Sequence, residues 1–209
     1  RQVFTVGIND DVTHLSLDVN EKIDTSVDAD TYQTVLYAIG NDGTVGGTKQ
    51  VASILGNSPD VYAQAYFSYS AKKSGGYTIS QLRIGHKPVT SAYAIENADY
   101  VGCHKASYVH RFSMLDNIKE GGVFVLNSPW TAEVMVKKLP LAMRKQIHDK
   151  KLRFYNINAD AIAAKVGLSP RINMPMEAVF LYLSNIIPFE ESLPALLSLI
   201  HISEPTRPY

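Results

Sequence analysis

The sequence predicts an α/β fold: a mainly parallel sheet with helices on both faces, preceded by an N-terminal β-hairpin and linker. Three observations carry this prediction. Short uninterrupted apolar runs, Val35–Ile39 and Val123–Leu126, read as strands buried on both faces. Helical patterns alternate with such runs along the chain, which favours parallel strands joined by crossovers. A glycine-rich turn, Gly40-Asn41-Asp42-Gly43-Thr44-Val45-Gly46-Gly47, joins the first run to the first helix. The chain has 209 residues, 45% of them hydrophobic and 19% charged, enough for one sizeable core.

Taken in order, Val3 to Leu17 alternates in part around Asn9-Asp10-Asp11, a turn signal that predicts the hairpin. It has little to pack against and is assigned to a preceding domain. Val19 to Thr31 is polar and acidic and reads as a linker. Val35–Ile39 is the first strand of the main domain and Gly46–Leu55 its helix. Val61–Phe67 is a second strand. Tyr77–Ile84 alternates and predicts a more exposed one. Tyr100–Gly102 is short and precedes a helix expected over Tyr108–Ile118. Val123–Leu126 follows Gly121-Gly122. Asn127-Ser128-Pro129-Trp130 reads as a cap-and-proline helix start. Leu152–Tyr155 is the last strand, Asn156 or Asn158 caps a helix over Ala159–Val166, and Met174–Asn185 is helical in pattern.

The division that follows is 3–30 for the end of a preceding domain and its linker, and 31–197 for the main domain, itself cut short. Residues 1–2 and 198–209 read as translated sequencing-adapter sequence and are left out of the fold prediction.

Charge narrows the partners. Twenty basic and twenty acidic residues balance, which predicts neither a nucleic-acid surface nor a membrane-binding basic helix. No apolar run reaches the length of a membrane span, and a cytoplasmic location is expected. The single cysteine, Cys103, makes no internal disulfide and cannot supply the four thiolates of an iron–sulfur cluster.

The glycine-rich turn is the first candidate site. Backbone N–H groups at a helix's positive end suit a phosphate. Its spacing is neither the dinucleotide G-x-G-x-x-G nor a P-loop, because Thr48-Lys49 runs in the wrong order. The same turn also closes a tight βα connection with no ligand at all. Asn41, Asp42 and Thr44 add side chains that can bond a sugar or phosphate. Lys72 and Lys73, beside Ser74-Gly75-Gly76, can reach a phosphate as mobile charges, or simply belong to a solvated loop. Asn173 precedes a helix and can cap it without any ligand. Cys103-His104 invites a nucleophile or metal reading, against which stands a buried small thiol after a strand. His86, His110 and His148 read as scattered and exposed.

Several blocks in a fixed order resemble one family. Phe4–Thr13, Gly40–Gly46, Tyr66-Phe67-Ser68-Tyr69 with Lys72–Gly76, Leu126–Trp130 and Arg171-Ile172-Asn173-Met174 look like pyruvate:ferredoxin (flavodoxin) oxidoreductase. The resemblance runs from residue 3 to about 197. It implies a large multidomain enzyme of anaerobic metabolism that oxidatively decarboxylates pyruvate with thiamine diphosphate and Mg2+. Electrons would pass through [4Fe-4S] clusters to ferredoxin or flavodoxin, and the acetyl group to coenzyme A. The segment then corresponds to the end of the second domain and most of the third, a Rossmann-like, gamma-subunit-like domain.

Carried over residue by residue, the coenzyme A loop falls on Asn41, Asp42, Gly43, Thr44 and Val45, a basic contact on Lys73 and a polar contact on Asn173. The position of Asn41 is often serine in the family, so Asp42 carries more of that expectation. No catalytic residue and no metal ligand is expected within this segment. Implied partners are the other domains of the same polypeptide, ferredoxin or flavodoxin, and a second copy in a homodimer. Two alternatives stand beside this reading: the gamma subunit of another 2-oxoacid oxidoreductase, and a non-catalytic nucleotide-binding module.

Overall fold

Strand β3, Tyr32–Ile39, is the middle of the main unit in a computed structural model that describes residues 3–8, 12–17, 30–40, 42–70, 76–169 and 171–203. The chain divides into two compact units, residues 1–30 and 31–209. In the first, β1 (Thr5–Val6) pairs with β2 (Ser16–Leu17) in parallel. This replaces the expected hairpin. Gly7, just after β1, and His14, two residues before β2, are both at positive φ.

The second unit contains a six-stranded sheet, described in order β4-β5-β3-β6-β7-β8. Strands β6 (Ala98–Cys103), β7 (Ile118–Asn127) and β8 (Arg153–Ile157) run parallel to β3. Strands β4 (Tyr62–Tyr69) and β5 (Tyr77–Gly85) form an antiparallel ribbon on the other side of β3. The expected sheet is therefore present, mainly parallel with one antiparallel flank.

The two-residue period of a strand splits the core in two. Leu36, Tyr100, Val123 and Val125 point to one face, where they pack with α1 (Thr44–Gly56), α4 (Ala159–Lys165), α5 (Asn173–Ser184) and α6 (Phe189–Ser203). Their neighbours Val35, Val101, Phe124 and Leu126 point to the other face, against α2 (Ala132–Lys138), α3 (Leu141–Asp149) and the segment around Tyr108–Leu115. Helices therefore cover both faces, as an alternating α/β sequence requires.

Three expectations give way to the structure. Strand β5 is not exposed: Thr78, Ser80, Leu82 and Ile84 are all buried, because the ribbon places β5 between β3 and β4 and α1 lies over it. Only one 3-10 turn, Ala106–His110, forms where a helix over Tyr108–Ile118 is expected, and Ile118 already begins β7. Tyr108, Phe112 and Tyr37 meet there as an aromatic cluster, so the apolar spacing reflects a packed loop. Asn127 and Ser128 do not cap α2, whose N-cap is Thr131. Instead the Asn127 Oδ1 accepts from Ala159 N–H at 2.9 Å and caps α4 across the sheet edge. Asn158 does cap α4, accepting from Ala161 N–H.

Candidate functional site

The carboxyl ends of parallel strands are where an α/β sheet opens a crevice. Here β3 ends at Ile39 and α1 begins at Thr44, and Gly43 bridges them in the left-handed region, φ 86°. A side chain at 43 would carry backbone strain. It would also meet Asn173, whose Oδ1 lies 2.8 Å from where a Cβ would sit.

Asp42 shapes the turn from inside. It is 7% exposed. One carboxyl oxygen accepts from Thr44 N–H at 2.9 Å and the other from Ile39 N–H at 3.0 Å. Thr44 is buried as well, and its hydroxyl shares a 2.8 Å hydrogen bond with His104 Nδ1. His104 is held in turn by its backbone: its N–H donates to Tyr37 O, and its carbonyl accepts from Asn127 Nδ2. Burial lowers the His104 pKa to about 4, with the nearby Asp42 acting in the opposite direction. The imidazole is thus neutral at physiological pH, a hydrogen-bonding strut and not a cation.

With Thr44 N–H taken by Asp42 and Gly47 N–H bonded to Gly43 O, Val45 and Gly46 keep N–H groups that a helix starting at Thr44 cannot satisfy. Gly43 and Gly46 are exposed, Val45 is half-buried, and no acidic residue lies in the first turn of α1. This end of the helix favours a negative partner.

Asn173 is the first residue of α5 and not its cap, which is Ile172. The expected capping bond is absent, because the Asn173 amide turns inward. Its Nδ2 donates to Glu177 Oε1 at 3.1 Å, while its Oδ1 has no protein partner. Glu177 is 6% exposed and sits beneath Gly47, where an added Cβ would overlap its Oε1. Burial raises its pKa to about 7, against the lowering influence of the Asn173 hydrogen bond.

Glu177 is the residue the sequence reading missed. One signal pointed to it, since it is the lone charge in Met174–Ser184. A carboxylate in an otherwise apolar helix costs energy to bury unless something requires it.

Among the expected contacts, the structure thus brings Asp42, Gly43, Thr44, Val45 and Asn173 together. Asn41 and Lys73 lie outside the described residues. Cys103 is fully buried, and burial pushes its thiol up to about 12, so it is an inert core residue. His86, His110 and His148 are exposed. Among the described residues no three His, Cys, Asp or Glu side chains gather as a metal site, and no helix is long and apolar enough to cross a membrane.

The buried Glu177 predicts a pH dependence of stability. The folded chain keeps a proton to about pH 7 that an unfolded glutamate releases near 4.5. That proton's contribution is complete below 4.5 and is lost as pH rises through 7, an effect on the order of 3 kcal/mol. Glu177→Gln should therefore be more stable than the parent at pH 8 and nearly equal to it near pH 5. Urea unfolding midpoints at both pH values measure this.

Comparison with known proteins adds the following. The family model described as "Pyruvate ferredoxin/flavodoxin oxidoreductase" matches residues 33–199. The chain is 50% identical over 193 residues to pyruvate:ferredoxin oxidoreductase of Moorella thermoacetica, covering 92% of this chain and 16% of that protein. It is also 50% identical over 192 residues to the mitochondrial pyruvate dehydrogenase [NADP(+)] of Euglena gracilis, covering 91% of this chain and 11% of that protein. Among solved structures, the pyruvate oxidoreductase subunit PORC of Thermotoga maritima superposes with a TM-score of 0.63 at 19% identity, covering 84% of this chain and 87% of that one. A 2-oxoglutarate:ferredoxin oxidoreductase from Magnetococcus marinus, solved with 2-oxoglutarate, coenzyme A and succinyl-CoA bound, gives a TM-score of 0.60 at 16% identity. That match covers 84% of this chain and 28% of the other.

Proposed function

The chain belongs to the pyruvate ferredoxin/flavodoxin oxidoreductase family, and from that we propose that it is the segment of a pyruvate-oxidising enzyme that binds and positions coenzyme A. It spans about a sixth or less of the length of the curated relatives it matches. The whole reaction we propose for the longer protein is oxidative decarboxylation of pyruvate to acetyl-CoA, with electrons leaving to ferredoxin or flavodoxin.

The observation that carries this reading is the turn at Gly43. It offers unsatisfied N–H groups at Val45 and Gly46 on the positive end of α1, and an unpartnered Asn173 Oδ1 beneath it. Coenzyme A combines phosphates, which want such N–H groups, with a polar nucleotide that an amide can bond. In this reading Asp42 and Thr44 act by fixing the turn, through the bonds to Ile39, Thr44 and His104 described above. Lys73 supplies the mobile positive charge, and Asn41 a further polar contact. No residue of the segment acts on pyruvate. Its role is to hold the thiol's carrier so that the thiol meets an acyl group formed elsewhere in the enzyme.

Thiamine diphosphate with Mg2+, and [4Fe-4S] clusters, would supply decarboxylation and electron transfer when bound. The donors here do not fit a cluster, since the chain's one cysteine is buried and protonated. We place those groups, and the contact with a second copy in a homodimer, in the other domains of the polypeptide. The choice of electron acceptor lies outside this segment too. A ferredoxin-linked and an NADP-linked relative match it at the same 50% identity, so the segment does not distinguish their acceptors.

Lys73→Ala in the full-length enzyme should raise the KM for coenzyme A about 10-fold, as expected for one charge-assisted phosphate contact of about 1–3 kcal/mol, with the KM for pyruvate unchanged. Steady-state kinetics with each substrate varied in turn decides the point. An unchanged coenzyme A KM removes Lys73 from the site.

A further inference from the structure

Between α1 and α5 lies a cavity of ≈ 20 Å³, room for about one water. Thr34, Thr44, His104, Asn173, Glu177 and Phe180 are among the residues that line it. Three polar atoms on its wall have no protein partner: Thr34 Oγ1, Asn173 Oδ1 and Glu177 Oε2. Two of these polar groups, on Asn173 and Glu177, lie beneath the turn at Gly43 and Gly47.

The contacts form a short chain. Glu177 accepts from the Asn173 amide, and its carboxyl lies under Gly47. That amide's oxygen lies under Gly43. The carboxyl is thus one side chain away from the helix end proposed to hold phosphate. The charges around it are few. His104 lines the same cavity and is neutral, and Asp42 lies behind Thr44 with both oxygens bonded to backbone N–H. Leu82 from β5 and Leu36 from β3 are apolar, Asn173 is the polar neighbour from α5 itself, and among the described residues no lysine or arginine lines the cavity. Lys49 of α1 sits over the Phe67 ring, on the side of β4. Among the described residues an ionised Glu177 therefore has no cation beside it, and the positive end of α1 is its nearest electrostatic support.

We propose that Glu177 is a positioning residue for an anionic ligand at the Gly43 turn, holding the Asn173 amide beneath the turn and taking up a proton as the ligand binds. The proposal deepens the coenzyme A reading and rests on it. A phosphate on the N–H groups of Val45 and Gly46 uses the same helix end that supports an ionised Glu177. Two negative charges drawing on one helix end disfavour each other, so binding raises the proton affinity of the carboxyl, and by linkage protonation raises the affinity for the anion. The group already titrates near neutrality, at about 7, so the coupling falls where an enzyme operates.

The test is calorimetric titration of coenzyme A into the full-length enzyme and its Glu177→Gln variant, from about pH 6.5 to 8.5, in buffers of different ionisation heat. Glutamine keeps an acceptor for Asn173 and cannot titrate. The parent should weaken by up to about 10-fold per pH unit above pH 7 and take up a proton fraction on binding, while the variant changes by less than about 2-fold. Titration of the ligand's own phosphates is common to both proteins and cancels in the comparison. A purely structural Glu177 would lower affinity equally at every pH, and that result overturns the proposal. So does a parent with no proton uptake beyond the ligand's own, whether or not the variant folds. If coenzyme A binds neither protein, the reading of the turn fails and the coupling falls with it. If it binds both with the same pH profile, the coupling alone fails.

Discussion

Gly47→Ala is expected to lower the unfolding free energy by about 2–3 kcal/mol, the opposite of what the helix alone would predict. Alanine in place of glycine inside a helix ordinarily stabilises by up to about 1 kcal/mol. At position 47, however, the new methyl would overlap Glu177 Oε1, come within 2.7 Å of its Cδ and lie 3.3 Å from Asn173 Cβ. Glu177 is buried and bonded to Asn173, so relief means either pushing its carboxyl into the adjoining cavity and breaking that bond or parting α1 from α5, an overpacking cost of about 1–3 kcal/mol. The control sits one residue away. A Cβ at Gly46 meets nothing within 4 Å, so Gly46→Ala should be neutral or stabilising by about 0.5 kcal/mol. Thermal scans of the two variants separate the effects. For a chain of this size the loss at 47 should lower Tm by about 4–12 °C, and equal behaviour of the two variants would refute the close approach of α1 and α5. Coenzyme A affinity should fall in Gly47→Ala as well, because the displaced Asn173 amide no longer faces the turn.

Phe180→Ala should cost about 4 kcal/mol, the largest single loss foreseen here. Phe180 is 4% exposed and meets Tyr100 edge-on, with ring centroids 5.0 Å apart, and Tyr32 at 6.4 Å. It also lines the cavity beside Glu177. Truncation therefore removes buried apolar surface, breaks two aromatic contacts worth about 0.5–1.5 kcal/mol each, and enlarges a void that the packed sheet cannot close. Phe180→Leu, which fills most of the space, should lose less than half as much. Urea unfolding at neutral pH measures both, and a loss below about 1.5 kcal/mol for the alanine variant would show that α5 repacks onto the sheet.

Much of the architecture was legible because strands carry a two-residue period and buried parallel strands are apolar throughout. Val123 to Leu126 read as a strand and is one, with Val123 and Val125 serving one core and Phe124 and Leu126 the other. The turn at Gly43 was legible for a related reason, since a glycine there meets a backbone need that few other residues satisfy. Tyr77–Ile84 misled because alternation normally marks a strand with one wet face. In this fold the antiparallel ribbon buries Thr78 and Ser80 along with Leu82. Tyr108–Ile118 misled because aromatic spacing that suits a helix also suits a loop packed around Phe112.

By itself, then, the sequence determined the α/β class, the strand–turn–helix at Gly43 and the family, because each rests on local pattern and order along the chain. The tertiary structure alone decided what the side chains there do. Asp42 folds back onto the turn's own N–H groups, Asn127 caps a helix 32 residues away, and Glu177 lies beneath Gly47. None of these follows from spacing, because each depends on how close two helices and a strand end approach. That distance is set by the packing of the whole core, and it is also what moves the Glu177 proton to neutral pH.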